Sequence, residues 1–481
     1  MNFIKTFFKQ SFYYGFSTFF GRFINYLLVP LYTNIFHPSE YGIIAELYAY
    51  ASFLLVLFTY GMETTFFRFS QIYEQNKVYK LTISSIFCSS LFFLMLFAIS
   101  IKFISEKLGY SNKVNLLWLI FFIVLTDAII AFPFAKLRLN NNAKAFSLLK
   151  LTNVLFNVCL NIIFFIVLPN FFKVKEFINI KYILISNLLA NIFTLFLVKR
   201  DILIKPYFDF AILKEMFLYS IPLLISGLTG MINETLDRAI LKHLITNKEE
   251  ALTQLGIYAA NYKLSIIMTL FIQTYRFTAE PIFFSYYKEK DAKLFYARMF
   301  NYFSAFSFLI FLLLSCFLHF FQYFIGKEYR VGLFIVPILL LANIFFGLHF
   351  NLSIWYKLTN KTNYGAAISI FGAIITILAN LILVPKIGYV GAAYATLLCY
   401  SSITLLSYIL GKKYYPIPYN IKKFFYYLST SIIIFKIYNF VKTNNYIIDS
   451  FIALLSLFVY LIIVFIANKS EFLKLLSFKN K

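Results

Sequence analysis

Long apolar runs recur from one end of this chain to the other, and each matches the thickness of a membrane. They lie near residues 11–35, 41–62, 81–101, 114–135, 146–168, 180–198, 216–241, 254–280, 299–325, 331–356, 364–385, 388–410, 423–441 and 446–467. Each is close to or above the roughly 20 residues that cross a bilayer as a helix, and far longer than a barrel strand. Hydrocarbon offers no partner to open backbone groups, so such segments must satisfy their own N–H and C=O groups as helices. The sequence predicts an all-α polytopic membrane protein with about 14 transmembrane helices. The composition agrees, at 61% hydrophobic, 13% charged and mean hydropathy +0.77, which excludes an ordinary soluble domain of 481 residues.

The net charge of +24 would point to nucleic acid in a soluble protein. Here the basic residues lie in short loops, where they orient the spans and meet anionic lipid, so no nucleic-acid partner is expected. With the N-terminus placed in the cytoplasm, about twice as many lysines and arginines fall inside as outside. The inner set includes Lys136, Arg138, Lys144, Lys150, Lys199, Arg200, Lys288, Lys290, Lys412 and Lys413. Both termini are therefore expected to be cytoplasmic. Residues 1–10 lead straight into a span without a small-residue cleavage site, and no removable signal peptide is expected. The loops, at about 20 residues or fewer, are too short to fold separately.

Cys88, Cys159, Cys316 and Cys399 are scattered through apolar spans, and His37, His243, His319 and His349 are isolated. Neither set shows metal spacing or a nucleophile–base arrangement, so no cofactor or metal is expected.

Charges inside the apolar runs are the second informative feature. Arg22, Glu46, Glu63 and Arg68 fall in or beside the first two spans. Asp237, Arg238, Lys263 and Arg276 fall in or beside the seventh and eighth. An ionised side chain in hydrocarbon is costly, and such residues face water-filled cavities or partners. The second span opens YGIIAELY (41–48) and the eighth LGIYAANY (255–262), aligned without gaps, so that Gly42, Ile43, Ala45 and Tyr48 match Gly256, Ile257, Ala259 and Tyr262. A weaker echo joins LNIIFFIVLP (160–169) to ANLILVP (379–385). The matches are six spans apart, an even number, which predicts two six-helix lobes of one orientation related by an axis along the membrane normal. The expected divisions are 1–205, 206–411 and a final helix pair in 412–481.

Arg22 lies about eleven residues into its span, roughly 16 Å deep, beyond the reach of snorkelling. It can serve a structural pair with Glu46 or Asp237, or an anionic substrate. Lys263 lies about nine residues into span eight and suits a mobile phosphate. Arg276 has Glu280 one turn away as a local partner, and Glu63 and Arg68 border a loop. Asp237 and Arg238 diverge by about 100° around the helix, which predicts different faces for them. Glu46, Glu234 and Asp237 are candidates for ion or proton coupling, with Glu63 and Glu280 as further ion-pair residues. Asp127, before an expected break at Pro133, reads as a bundle contact. Gly15, Gly21 and Pro30 in span one, and Pro222, Gly227 and Gly230 in span seven, predict broken helices at corresponding places.

The run GRFINYLLVPLYTNIFHPSEYGIIAELYAY (21–50), with LVLFTYGMETTFFRF (55–69), MINETLDRAILK (231–242), GIYAANYKLSIIMTLFIQTYRFTAEP (256–281) and GYVGAAYATLL (388–398), resembles the polysaccharide-biosynthesis (O-antigen type) flippases of the multidrug/oligosaccharidyl-lipid/polysaccharide transporter superfamily. That resemblance covers nearly the whole chain. It implies alternating access in the bacterial inner membrane, and a polyprenyl-pyrophosphate-linked oligosaccharide as substrate. Arg22, Lys263, Arg68, Arg276 and Arg238 are then the expected substrate-binding residues. It further implies a transporter rather than an enzyme, acting as a monomer beside polysaccharide-assembly proteins. A proton- or sodium-coupled multidrug antiporter of the same superfamily is the competing reading. A membrane glycosyltransferase or polymerase would need a sizeable loop carrying acid–base groups, and the chain has none.

Overall fold

The computed structural model describes residues 15–469 apart from 16, 18, 174 and 444. Among the described residues there is no β-strand. Eleven helices among the described residues are long and apolar enough to cross a membrane, and twelve when the bent pair Glu250–Leu264 and Ile266–Lys288 is counted as one span. The chain is thus a multi-pass membrane protein. The expected sixth span is a shorter apolar helix of 17 residues, Lys181–Leu197. The expected first span lies partly outside the described residues, with helix at 19–26 and Leu28–Ile35 on either side of a turn at Leu27.

The chain divides into two compact units, Met1–Gly256 and Ile257–Lys481. The first holds α1 (Leu28–Ile35), α2 (Pro38–Thr59), α3 (Met62–Phe69), α4 (Gln75–Leu108), α5 (Val114–Leu139), α6 (Ala143–Ile162), α7 (Lys181–Leu197) and α8 (Phe210–Leu244). Here α2 packs on α5 and α8, and α7 on α5 and α6. A capping box starts α2: the His37 amide donates to Glu40 Oε2 at 3.3 Å, and Pro38 stands where no amide is needed. Two left-handed residues, Tyr60 (φ 31°) and Gly61 (φ 73°), end it. A Cβ at Gly61 would lie 2.7 Å from Leu223 Cβ, so glycine serves both conformation and packing there. The core of this unit gathers Met62, Phe66, Leu81 and Phe132, all fully buried.

Two expectations of broken helices are corrected. α5 runs through Pro133 and α8 through Pro222, Gly227 and Gly230 without interruption. A proline removes one amide donor, and neighbouring helices in a bundle absorb the small distortion. Breaks lie at Leu27 in span one, between Gly21 and Pro30, and in span eight, where α9 (Lys248–Leu264) and α10 (Ile266–Ser285) meet at Ser265 in a 45° bend. α9 begins in the first unit and ends in the second.

The second unit continues with α11 (Ala292–Cys316), α12 (Val336–Leu352), α13 (Thr362–Ile387), α14 (Tyr389–Tyr414), α15 (Ile421–Val441) and α16 (Tyr446–Ala467). A single residue, Gly388 at φ 59°, joins α13 to α14. α11 packs on α12, α15 and α16. Polar ties fix the last pair: Tyr460 donates to the Ala305 carbonyl at 3.1 Å, and His319 Nε2 meets Ser450 Oγ at 2.9 Å. Phe440 (91% exposed) and Ile447 (82%) project outward from this pair, as side chains facing lipid do.

Candidate functional site

Helix α6 carries Lys150, Asn153, Asn157 and Asn161, and steps of three and four place them along one face. Helix α7 carries Asn187, Asn191 and Thr194 in the same way. In an apolar helix such stripes turn toward one another or toward the bundle interior, since lipid cannot solvate an amide. Asn153 Nδ2 donates to Asn191 Oδ1 at 3.2 Å and to Thr194 Oγ1 at 2.9 Å. Asn191 Nδ2 donates in turn to Asp127 Oδ1 at 2.8 Å and Thr126 Oγ1 at 3.1 Å. Asn161 accepts from Tyr32 at 2.8 Å, which ties α1 to the same face of α6.

These helices enclose a cavity of about 290 Å³ inside the first unit. Its polar lining is Glu63, Asp127, Arg138, Lys150, Asn153, Asn191 and Thr194, against walls that include Phe134 and Phe146. Glu63 and Arg138 form an ion pair, each side chain about two-fifths exposed. The Arg138 guanidinium also lies 5.0 Å from the centre of the Phe67 ring, and the Lys150 ammonium 5.4 Å from that of Phe146. Arg22 is exposed, next to Gly21, whose Cβ would lie 3.4 Å from Val154 of α6.

A second charged cluster lies at the N-terminal end of α2 and the C-terminal end of α8. Glu46 is fully buried. Its carboxylate accepts from Tyr50 at 2.6 Å, from Lys242 at 3.1 Å and from Tyr110. Lys242, 7% exposed, also donates to the Leu108 carbonyl at 2.7 Å and lies 4.0 Å from the centre of the Tyr110 ring. His243 Nε2 sits 2.9 Å from the Tyr50 hydroxyl and 3.6 Å from Glu46. Burial, reinforced by the adjacent Glu46 carboxylate, pushes the Tyr110 phenol well above its ordinary range, so it remains a donor at any physiological pH. The sequence reading of Glu46 as a structural partner for Arg22 is therefore corrected: the buried cation beside Glu46 is Lys242.

Arg68 is exposed and stacks 4.3 Å above the Tyr219 ring. Asp237 is buried and accepts the Arg238 amide at 2.8 Å, with Arg238 Nε 3.7 Å away. Adjacent positions diverge, yet the long Arg238 side chain folds back to its neighbour and to the Glu234 carbonyl at 3.2 Å. The Glu234 side chain is exposed. In the second unit, Lys263 is half-buried in the last turn of α9, next to the bend. Hydrogen bonds pin that bend: Asn261 Nδ2 donates to the Tyr329 carbonyl at 2.8 Å, and Asn343 Nδ2 to Ser265 Oγ at 3.2 Å. Glu280 meets Arg276 at 3.6 Å, as its spacing implied, and Lys357 more closely at 2.7 Å.

Lys242, Tyr110, Lys150, Arg138 and Lys357 were not singled out from sequence as site residues. The asparagine stripe beginning at Lys150 was the available signal for the cavity. Lys242 gave none, since a lysine near a helix end reads as an interfacial anchor.

Comparison with known proteins accords with this arrangement. A structure of the lipid II flippase MurJ in an inward closed conformation superposes with TM-score 0.72 at 17% identity, over 94% of this chain and 98% of that one. An inward-facing multidrug resistance MATE family transporter of the MOP superfamily gives 0.58 at 13%, over 82% and 94%. A structure of the MATE multidrug transporter DinF-BH gives 0.58 at 14%, over 87% and 96%. At these identities the likeness establishes the fold. No curated protein sequence matches significantly. Residues 7–287 match the family described as polysaccharide biosynthesis protein, well over half the chain, and the chain belongs to that family.

Proposed function

We propose that this protein is a flippase that carries a polyprenyl-pyrophosphate-linked oligosaccharide across the bacterial inner membrane by alternating access, in the service of surface polysaccharide biosynthesis. The observation that supports the reading is Arg22, a guanidinium inside an apolar run that the sequence reads as the first span, next to Gly21, which approaches Val154 on α6, the helix that carries the stripe of amides. Such a group recognises phosphate through paired charge-assisted hydrogen bonds. Lys263, at the bend of span eight, supplies a mobile point charge in the second unit. Arg68, Arg276 and Arg238 serve as secondary anion contacts, and Glu46, Asp237, Glu234, Glu63 and Glu280 as ion-pair or coupling groups. The full architecture in this reading is fourteen spans, as two six-helix lobes and a final pair, with both termini cytoplasmic. The protein acts as a monomeric transporter, without catalysis, beside polysaccharide-assembly proteins.

The multidrug-antiporter reading draws on the MATE likeness and on Asp127, a carboxylate in a polar cavity. Reconstitution separates the two. Proteoliposomes should translocate a defined lipid-linked oligosaccharide, and Arg22→Ala or Lys263→Ala should abolish this while protein level is maintained. Normal translocation in both variants defeats the assignment of these residues, and drug efflux without lipid translocation favours the antiporter.

A further inference from the structure

Span five carries an irregular turn to which the transport reading gives no role. Beyond Ile162 the chain makes one widened turn, Ile163–Val167, and then a last regular turn, Leu168–Phe171. The Leu168 amide donates to the Ile163 carbonyl, five residues back instead of four. Such a turn stores one residue more than a turn of α-helix. Pro169 favours it, since the proline ring would otherwise press on the carbonyl of Phe165, four residues before. The proline alone does not suffice: α5, α8 and α13 run regularly through Pro133, Pro222 and Pro385.

The surroundings supply the rest. Phe165, 4% exposed, stands edge to face against Tyr32 at 6.2 Å and Phe36 at 5.4 Å. Phe164, next to it, stacks on Phe177 at 5.6 Å and packs on Tyr182 of α7 at 5.0 Å. Contacts between span one and α6 run in step along both: Gly21 by Val154, Asn25 at 3.5 Å from Asn157, Tyr32 on Asn161, Phe36 against Phe165. The first three lie before the widened turn, where the Asn153 amide also holds α6 to α7. That part of the span is pinned. The four residues beyond the widened turn include none that is buried, so this end is the part that can turn. Asn161 also donates to the Asn157 carbonyl at 2.8 Å, so side-chain amides on this helix can serve backbone carbonyls, which lipid cannot.

We propose that the widened turn is a two-state register switch. In the state described, it grips α1 through Phe165. Tightened to an α-helical turn, it rotates Leu168–Phe171 by about 100°, the angle of one residue, and withdraws Phe165 from the Tyr32 and Phe36 rings. No contact of the pinned part has to break. α1 is therefore held at two points in one state, Asn161 and Phe165, and at Asn161 alone in the other. The switch belongs to the helix itself and does not depend on what is transported.

The test measures distances between spin labels in the full chain in lipid nanodiscs. The exposed Cys88 and Cys159 are replaced by alanine, and the buried Cys316 and Cys399 are retained. One label replaces Phe171 (78% exposed), paired in turn with a label at Ile99 of α4 (84%) or at Phe196 of α7 (60%). A 100° rotation carries a side chain about 8 Å around a helix, so at least one pair should show two distances several ångströms apart. Pro169→Ala, which removes the clash behind the widened turn, should enrich the second distance. Deletion of Ile166, which removes the stored residue, should leave the second distance alone. A single distance for both pairs in the otherwise native chain overturns the switch. So does a Pro169→Ala distribution identical to that of the native turn, and this comparison decides the matter even where the deletion variant does not fold.

Discussion

At the scale of single residues, the buried pair Glu46–Lys242 has the clearest energetic consequence. Each charge is compensated by the other and by hydroxyl or carbonyl partners. Removing one leaves the other buried and unpaired, a loss of about 3–5 kcal/mol, whereas removing both together costs much less. Lys242→Met is therefore expected to lower the melting temperature in detergent sharply. Glu46→Gln combined with Lys242→Met should recover most of that loss. A double variant no better than the single would show that the pair is not the source of the effect. Intramembrane charges such as Arg22, Glu46 and Asp237 were legible in the sequence because apolar context makes them conspicuous. Their partners were not, because Lys242 is 196 residues from Glu46 and hydropathy carries no distance information.

At the scale of helices, glycine placement decides how closely two elements approach. A Cβ on Gly42 would collide with the Leu252 carbonyl and come within 3.1 Å of the Gly256 amide nitrogen. A Cβ on Gly256 would collide with the Pro38 carbonyl and come within 3.1 Å of the Gly42 amide nitrogen. Backbone rests on backbone, as in small-residue helix crossings in membranes. Gly42→Ala should therefore separate α2 from the start of α9 and cost about 1–3 kcal/mol, as overpacking does. Gly256→Ala should cost a similar amount, and the double variant less than the sum. Strict additivity in thermal denaturation would show that the contact is looser than the geometry indicates. The sequence already aligned these two glycines as repeat positions, but it could not show that they touch. The bend at Ser265 was likewise hidden, since asparagines at 261 and 343 pin it from within the second unit and neither residue breaks helical periodicity. Pro133 misled for the opposite reason: a helix-breaking residue in an isolated helix need not break one in which it is buried among neighbours, and α8 runs on through the exposed Pro222 as well.

For the molecule as a whole, hydropathy located the eleven or twelve apolar spans seen among the described residues, because the bilayer's requirement acts on each segment independently. Orientation belongs to this scale. With both termini in the cytoplasm, a cysteine introduced at Asn141 should react with a membrane-impermeant maleimide only after the cells are opened. One at Asn112 should react in intact spheroplasts, and the reverse pattern would invert the topology. Compactness and repetition divide the chain at different points: α8 groups with the helices before it, while the aligned segments imply a boundary near 205. The Gly42–Gly256 crossing bears on how both divisions could be true. Each glycine meets the carbonyl four residues before the other, so exchanging the two partners leaves the contact unchanged. That is the signature of a self-contact on the dyad of a homodimer. If the halves descend from one duplicated ancestor, that ancestor met its own copy through a single glycine, and fusion turned one inherited residue into two. Neither descendant could then drift alone, because each glycine's freedom to change is set by the backbone that its twin presents.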